Sequence, residues 1–584
     1  MHRLPPGAFG ALAAGQGTPA VVKALLAARR SRHLFLLRGV LDHLAGVPQP
    51  QARAFEANYA ALAAVQRVAP SAVRTVLAYP LVGAWLAHCL RRLRGDDGTA
   101  TPVDADLAHL GSVAAAAAVR GGTATAVVVP VREGTVALPT LGRLHLGDRT
   151  GDGLAAMSYQ DGRVTFPGRG RAPVRLVPRQ ADTPGWEALR RAVVTERGLT
   201  LCVDVDDVDP YRDCARLGAA PRLGAGEWRV WQDRLRSAWR VLAVDHPDQA
   251  AALAAGVVAL VPLTRPASGE SRSATQTDAA ATVALSLPAD PSTFAVTLVH
   301  ELQHTTLNLL HDLVPLLVPT GGRHYSPWRP DPRPLWGLLH GTYAFLGVAR
   351  FWRAEAAARP TPAARLELAR SVHDVGVGQR ALRESGRLTP AGERLVRVIG
   401  DTVRRWAPEI DDDLRRLAAD LNADHHATWR LRNLAVDPQA AAALAAAWLA
   451  GQPDPPGPLP AARVVAGPAP RPASPRLQLA RRLDAGLSTG DGALDGVSAS
   501  NLHLLRGAYQ RAAAGYLAHI ANGAAVPDAW AGLAVACGRL AGSPGHELLH
   551  RRPELVHAVH RSAAAGGPGV DVLALASWLS RGAG

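Results

Sequence analysis

Seven residues, Leu298-Val299-His300-Glu301-Leu302-Gln303-His304, constrain this chain more tightly than any other stretch. They read His-Glu-x-x-His, and that spacing brings its two histidines together only on an α-helix. The surrounding sequence predicts one. Asp290 is a natural N-cap and Pro291 suits the first helical position. Phe294, Leu298, Val299, Leu302, Leu309, Leu310 and Leu313 then form an apolar stripe at helical spacing. His300 and His304 fall on one face, about 6 Å apart along the axis, placed to chelate one metal ion. Glu301 lies roughly 100° round the helix from His300, within reach of a metal-bound water. The plainer alternative is a half-buried helix with two histidines and an incidental glutamate.

Composition limits what can surround this helix. With 584 residues, 48% hydrophobic and 19% charged, the chain has the make-up of a multi-domain globular protein. Lys23 is the only lysine, so the net charge of +15 is an arginine charge. Those arginines are spread along the whole length, without a basic tail or aromatic interleaving, which argues against a nucleic-acid partner. Cys89, Cys202, Cys214 and Cys537 form no C-x-x-C pair, so neither a zinc ribbon nor a disulfide framework is expected. The amino terminus has no signal-peptide core and no stretch reads as a membrane span. A cytoplasmic location is expected.

The expected fold class is α+β and predominantly helical. Residues 1–120 read as helices, and 121–225 as a β-rich region whose short runs to about 205 suggest an antiparallel meander or small sandwich. The carboxylates of Asp204–Asp213 read as a solvated turn, because a calcium loop would need a glycine and a glutamate that are missing. Residues 226–450 form the expected metal-binding core, in which a strand at Thr282–Leu287 leads into the His-Glu-x-x-His helix. The edge of such a strand suits pairing with an extended peptide. A second long helix, Pro334 to Ala358, follows a Pro-stiffened aromatic and basic connection. Residues 451–475 read as a Pro/Gly linker and 476–584 as helical hairpins of tetratricopeptide-like character.

Two histidines do not complete a catalytic metal site. His311 is too far along the helix from His304 to share an ion. His340, on the second long helix, is the favoured third ligand, with Glu355 and His425 or His426 as alternatives. Arg329 and Arg333 in the connection suit a bidentate grip on a carboxylate, with Tyr325 beside them. Trp328 and Tyr343 are candidates for touching substrate. Two chemistries can use such a site. A zinc hydrolase would employ Glu301 as general base; a non-haem iron oxygenase would bind Fe(II) by three ligands and leave positions for a keto acid and oxygen. The motif alone favours the hydrolase.

Several segments together resemble the HExxH-motif peptide-modification family found in biosynthetic clusters for ribosomally made peptides. They are Leu4–Phe9, Val208–Asp213, Ala284–Pro288 leading to His300–His304, Tyr325–Arg329, Leu339–Phe345, Gly386–Pro390 and Trp429–Arg432. The similarity runs from the first residues to about 434. It implies an Fe(II)- and 2-oxoglutarate-dependent β-hydroxylase acting on a leader-bearing precursor peptide, with dioxygen as co-substrate. His300 and His304 then carry over as metal ligands, and His340 less directly. Zinc, in a metallopeptidase with Glu301 as base, remains the alternative.

Overall fold

The computed structural model describes residues 2–45, 50–96, 103–146, 152–167, 174–178, 180–213, 217–266, 271–465, 474–484, 496–522, 527–540, 542–565 and 569–582. The protein is α+β and predominantly helical, and it divides into two compact units, Met1–Pro315 and Leu316–Gly584. The boundary falls inside the 226–450 stretch that reads as one core in the sequence. Helical periodicity marks the two long helices there but not the neighbours each one packs against.

In the first unit, proline repeatedly sets a helix start, at Pro19–Leu44, Pro70–Leu77 and Pro80–Arg94. Pro fixes φ where the amide hydrogen has no helical partner to lose. The alanine-rich helix Asp104–Gly121 is buried over most of its length. It lies so close to the strand Thr125–Val131 that a Cβ on Gly111 would collide with the Val128 carbonyl. Asn58 completes that approach. Its Nδ2 donates to the Val128 oxygen at 2.9 Å, and its Oδ1 accepts from the Val128 amide at 3.0 Å, so a side chain takes the place of a neighbouring strand.

Antiparallel sheets follow, as expected. One orders Thr125–Val131, Gly153–Gln160, Arg163–Phe166 and Val174–Leu176; another orders Thr135–Leu138, Gly142–His145 and Trp186–Ala188. The antiparallel region does not extend as one body to residue 205, however. Arg190–Glu196 and Leu199–Val205 form a hairpin that joins a mixed sheet, in which Leu199–Val205, Ala259–Pro262 and Thr282–Leu285 run parallel. All four residues of each of the latter two strands are buried, the pattern of a strand covered on both faces.

The edge expected to receive a peptide is taken. Ser273–Ala274 pairs antiparallel with Leu285 and Ala284, so the polar loop closes over the strand beside the metal-binding helix. Residues 267–270 of that loop lie outside the described residues.

The Asp204–Asp213 turn is not solvated. Asp206, Asp207 and Asp209 are 1%, 0% and 3% exposed. Asp206 accepts from the Tyr79 hydroxyl at 2.6 Å and from the Asp209 amide at 2.8 Å. Asp207 takes the Leu223 amide and the guanidinium groups of Arg190 and Arg222. Partners distant in sequence bury these carboxylates, and burial beside Asp206 pushes Asp209 up to about 7.

The second unit is a stack of helices. Leu335–Ala358 packs on Pro362–Glu384, which in turn meets Pro390–Trp406 and Asp412–Asn433. The connection before them closes into a small hairpin, Arg323–His324 against Arg333–Pro334. Tyr509–Ala521, Pro527–Arg539, Pro553–Ala564 and Val572–Ser580 share an apolar core with Pro438–Leu449. The described part of the expected linker is pinned rather than loose. Arg463–Val464 pairs with Leu434–Ala435, and the Trp578 indole donates to the Gln452 carbonyl at 2.7 Å. Residues 466–473 of the linker lie outside the described residues. Among the described residues no single helix is long and apolar enough to cross a membrane.

Candidate metal centre

The helix Pro291–Leu313 begins where the sequence predicts. The Asp290 carboxylate accepts from the Thr293 amide at 2.8 Å, and Pro291 opens the first turn. Phe294, Leu298, Leu309 and Leu310 are at most 2% exposed, and Trp231 meets Phe294 edge-on at 6.2 Å. Gln303 donates to the Gly15 carbonyl at 3.1 Å, and Asp312 near the far end pairs with Arg29 at 2.7 Å. These contacts fix the helix about its axis.

His300 and His304, both half-buried, then stand with ring centroids 4.5 Å apart and planes at 88°. Metal–nitrogen bonds of about 2 Å bring two donors on one ion close together, a spacing compatible with rings this near. Desolvation holds His300 below its ordinary pKa, against the opposing charge of Glu301, so the ring is neutral and keeps a lone pair to give. The pair fits a divalent first-row metal as half of a site. Among the described residues no group of three His, Cys, Asp or Glu side chains is gathered to hold an ion.

Glu301 is 1% exposed and already engaged. Its Oε2 accepts from the Thr275 hydroxyl at 2.6 Å, and Thr275 directly follows the edge strand Ser273–Ala274. The residue that the motif makes a base is tied to the sheet. Sequence reasoning missed Asn308, which continues the i, i+4 row beyond His304. It is 1% exposed, and neither end of its amide has a hydrogen-bond partner among the described residues. A buried amide left so costs about 1–3 kcal/mol, which marks this row as a place for a polar guest. The spacing of Asn308, four residues from His304 on the face that already carries two polar rings, is the signal that could have found it.

The other candidate residues belong to the second unit. His340 is half-buried on Leu335–Ala358, its ring 5.4 Å from that of Trp336. Glu355 accepts from Arg359 with both oxygens at 2.9 Å, an ion pair within one helix turn. Arg329 and Arg333 both donate to Asp331 at 3.1 Å, so a ligand carboxylate would have to displace one already present. Tyr325 stands apart from them, its hydroxyl 2.9 Å from His425 Nδ1 and its ring 4.5 Å from that of His426. Trp328 stacks on Phe345 at 4.9 Å and lines a cavity. Tyr343, expected to touch substrate, is 0% exposed and belongs to the core, because it faces inward from a helix that is apolar nearly all round.

No protein-family model matches this chain, and no curated protein is found to resemble it.

Proposed function

We propose that this protein is an Fe(II)- and 2-oxoglutarate-dependent hydroxylase that places a β-hydroxyl on a side chain of a ribosomally made precursor peptide. The observation that carries the reading is the His300–His304 pair, fixed on a braced helix with ring centroids 4.5 Å apart. Imidazole donors suit iron as well as zinc, so the pair alone does not choose the reaction. Glu301 supports the choice. Its carboxylate is buried and accepts from Thr275, whereas a hydrolytic base must be free to take a proton from water. In this reading Glu301 is a positioning residue that ties the histidine turn to the sheet.

Bound at the pair, iron with 2-oxoglutarate and dioxygen would supply the oxidation that turns a C–H into C–OH, with succinate and carbon dioxide released. The chain's own part is to hold two imidazoles still and to keep Glu301 from acting as a free base.

Anaerobically iron-loaded protein, given oxygen and 2-oxoglutarate, is expected to release succinate. With its precursor peptide it should yield a product one oxygen atom heavier. Glu301→Gln should retain most of this activity, since the amide still accepts from Thr275. Oxygen-independent, zinc-restored peptide cleavage that Glu301→Gln abolishes would replace this reading with the peptidase.

A further inference from the structure

Just past the histidine pair, one turn of the helix Pro291–Leu313 buries polar groups that nothing satisfies. Asn308 is 1% exposed, and among the described residues both ends of its amide lack a hydrogen bond, so either orientation of the amide is open. Thr305 is 0% exposed, and among the same residues its hydroxyl lacks one too. The reason lies one turn back. A helical threonine can donate to the carbonyl four residues before it, as Thr306 does to Leu302 at 2.8 Å. The corresponding carbonyl for Thr305 belongs to Glu301, and it already takes the Thr275 hydroxyl at 3.2 Å. With the helix amide as well, both of its lone pairs are used.

Asn308 stands where it can answer two neighbours. At 3.6 residues per turn it lies about 40° round the helix from His304 and about 60° from Thr305. Helical side chains lean toward the N-terminus, so that of Asn308 covers the turn that carries both. His304 is half-buried and its Nδ1 is buried, which leaves Nε2 as the nitrogen for a metal. A metal-bound imidazole donates its other ring N–H to an acceptor, which fixes the ring and raises its basicity. The open acceptor on the next turn of the same row is Asn308.

We propose that Asn308 is a positioning residue for the metal ligand His304. A metal on Nε2 makes the Nδ1–H tautomer obligatory. That hydrogen is donated to Asn308 Oδ1, which turns Asn308 Nδ2 toward the Thr305 hydroxyl. Groups left open in the metal-free protein are thus satisfied on binding, and binding is tightened. The inference rests on the reading of His300 and His304 as metal ligands, but not on the choice between iron and zinc.

The test is anaerobic titration of metal-free full-length protein with Fe(II), and separately with Zn(II), for the wild type, Asn308→Leu and Asn308→Asp. Leu keeps the branched shape and removes the open amide, so the metal-free variant should melt no lower than the wild type. Its metal affinity should nevertheless fall tenfold or more. Asp restores an acceptor and should bind metal at least tenfold more tightly than the Leu variant. In the zinc-loaded wild type, nitrogen NMR of isotopically labelled histidine should find the His304 hydrogen on Nδ1. Wild-type affinity in Asn308→Leu, or a hydrogen on Nε2 with the metal on Nδ1, would overturn the inference and leave the metal reading standing. A lower metal-free melting temperature in Asn308→Leu, with Asn308→Asp binding no better than it, would overturn it as well, by showing a merely structural residue. If His300→Ala and His304→Ala bind metal as the wild type does, the metal reading fails and takes this inference with it.

Discussion

His109 shows how a single buried side chain sets a pH limit on the first unit. It is 1% exposed, its ring 5.2 Å from that of Trp85 and 4.9 Å from that of Tyr211. Desolvation first, and Arg132 second, hold it down to about 3, against Asp106, which pulls the other way. The unfolded ring takes a proton near its ordinary value of about 6.5 and the folded ring does not. Its contribution to stability is therefore complete above about 6.5 and is lost as the pH falls from there toward 3. Asp209, raised to about 7, has the opposite sign, since its folded form keeps a proton that the unfolded form gives up. The informative quantity is thus the difference between proteins. His109→Gln should flatten the fall in melting temperature between pH 6.5 and pH 4, a difference of a few kcal/mol at most. An unchanged slope would mean that His109 is reached by water. Residues at this scale were unevenly legible. His300 and His304 stand out because helical spacing alone brings them together. The burial of Asp206 and Asp207 does not show in the sequence, because Tyr79, Arg190 and Arg222 arrive from elsewhere in the chain.

Elements were legible where period and caps agree. The helix Pro291–Leu313 follows from Asp290, Pro291 and an apolar row, and its observed start is the predicted one. The parallel strands were harder to place in a sheet, because strands buried on both faces lose the alternation that reveals strand partners and sides. Helix-to-loop packing was not legible at all, and Gly341 is the sharpest instance. A Cβ there would overlap the Trp328 indole, which lies against the helix Leu335–Ala358 and stacks on Phe345 at an interplanar angle of 13°. Gly341→Val should push Trp328 off that helix and cost about 1–3 kcal/mol, the usual penalty for overpacking. Denaturant unfolding of the full chain, followed by tryptophan fluorescence, measures both effects. An unshifted midpoint with a wild-type spectrum would show that the indole does not rest on Gly341.

At the scale of the whole molecule, helical dominance was plain from the sequence and the division into two units was not. Pro and Gly between 451 and 475 look like a spacer, yet the described residues there are tied down by strand pairing and by the Trp578 indole. Just beyond it, Arg476 and Asp424 form an ion pair with both side chains 1% exposed, and Arg476 also donates to Asn501 at 2.7 Å. Such a pair fastens the start of Pro475–Asp484 to Asp412–Asn433. Arg476→Met removes one partner and leaves a buried carboxylate, which should cost about 3–5 kcal/mol in chemical unfolding; a loss below 1 kcal/mol would mean that water reaches Asp424.

Whether the His300–His304 pair holds a metal is tested most directly by anaerobic titration of metal-free protein with Fe(II). It should take up a single equivalent per chain, and His300→Ala and His304→Ala should each abolish that uptake while preserving the wild-type circular dichroism spectrum. A wild-type protein that binds no iron, or folded variants that bind it as the wild type does, would contradict the account.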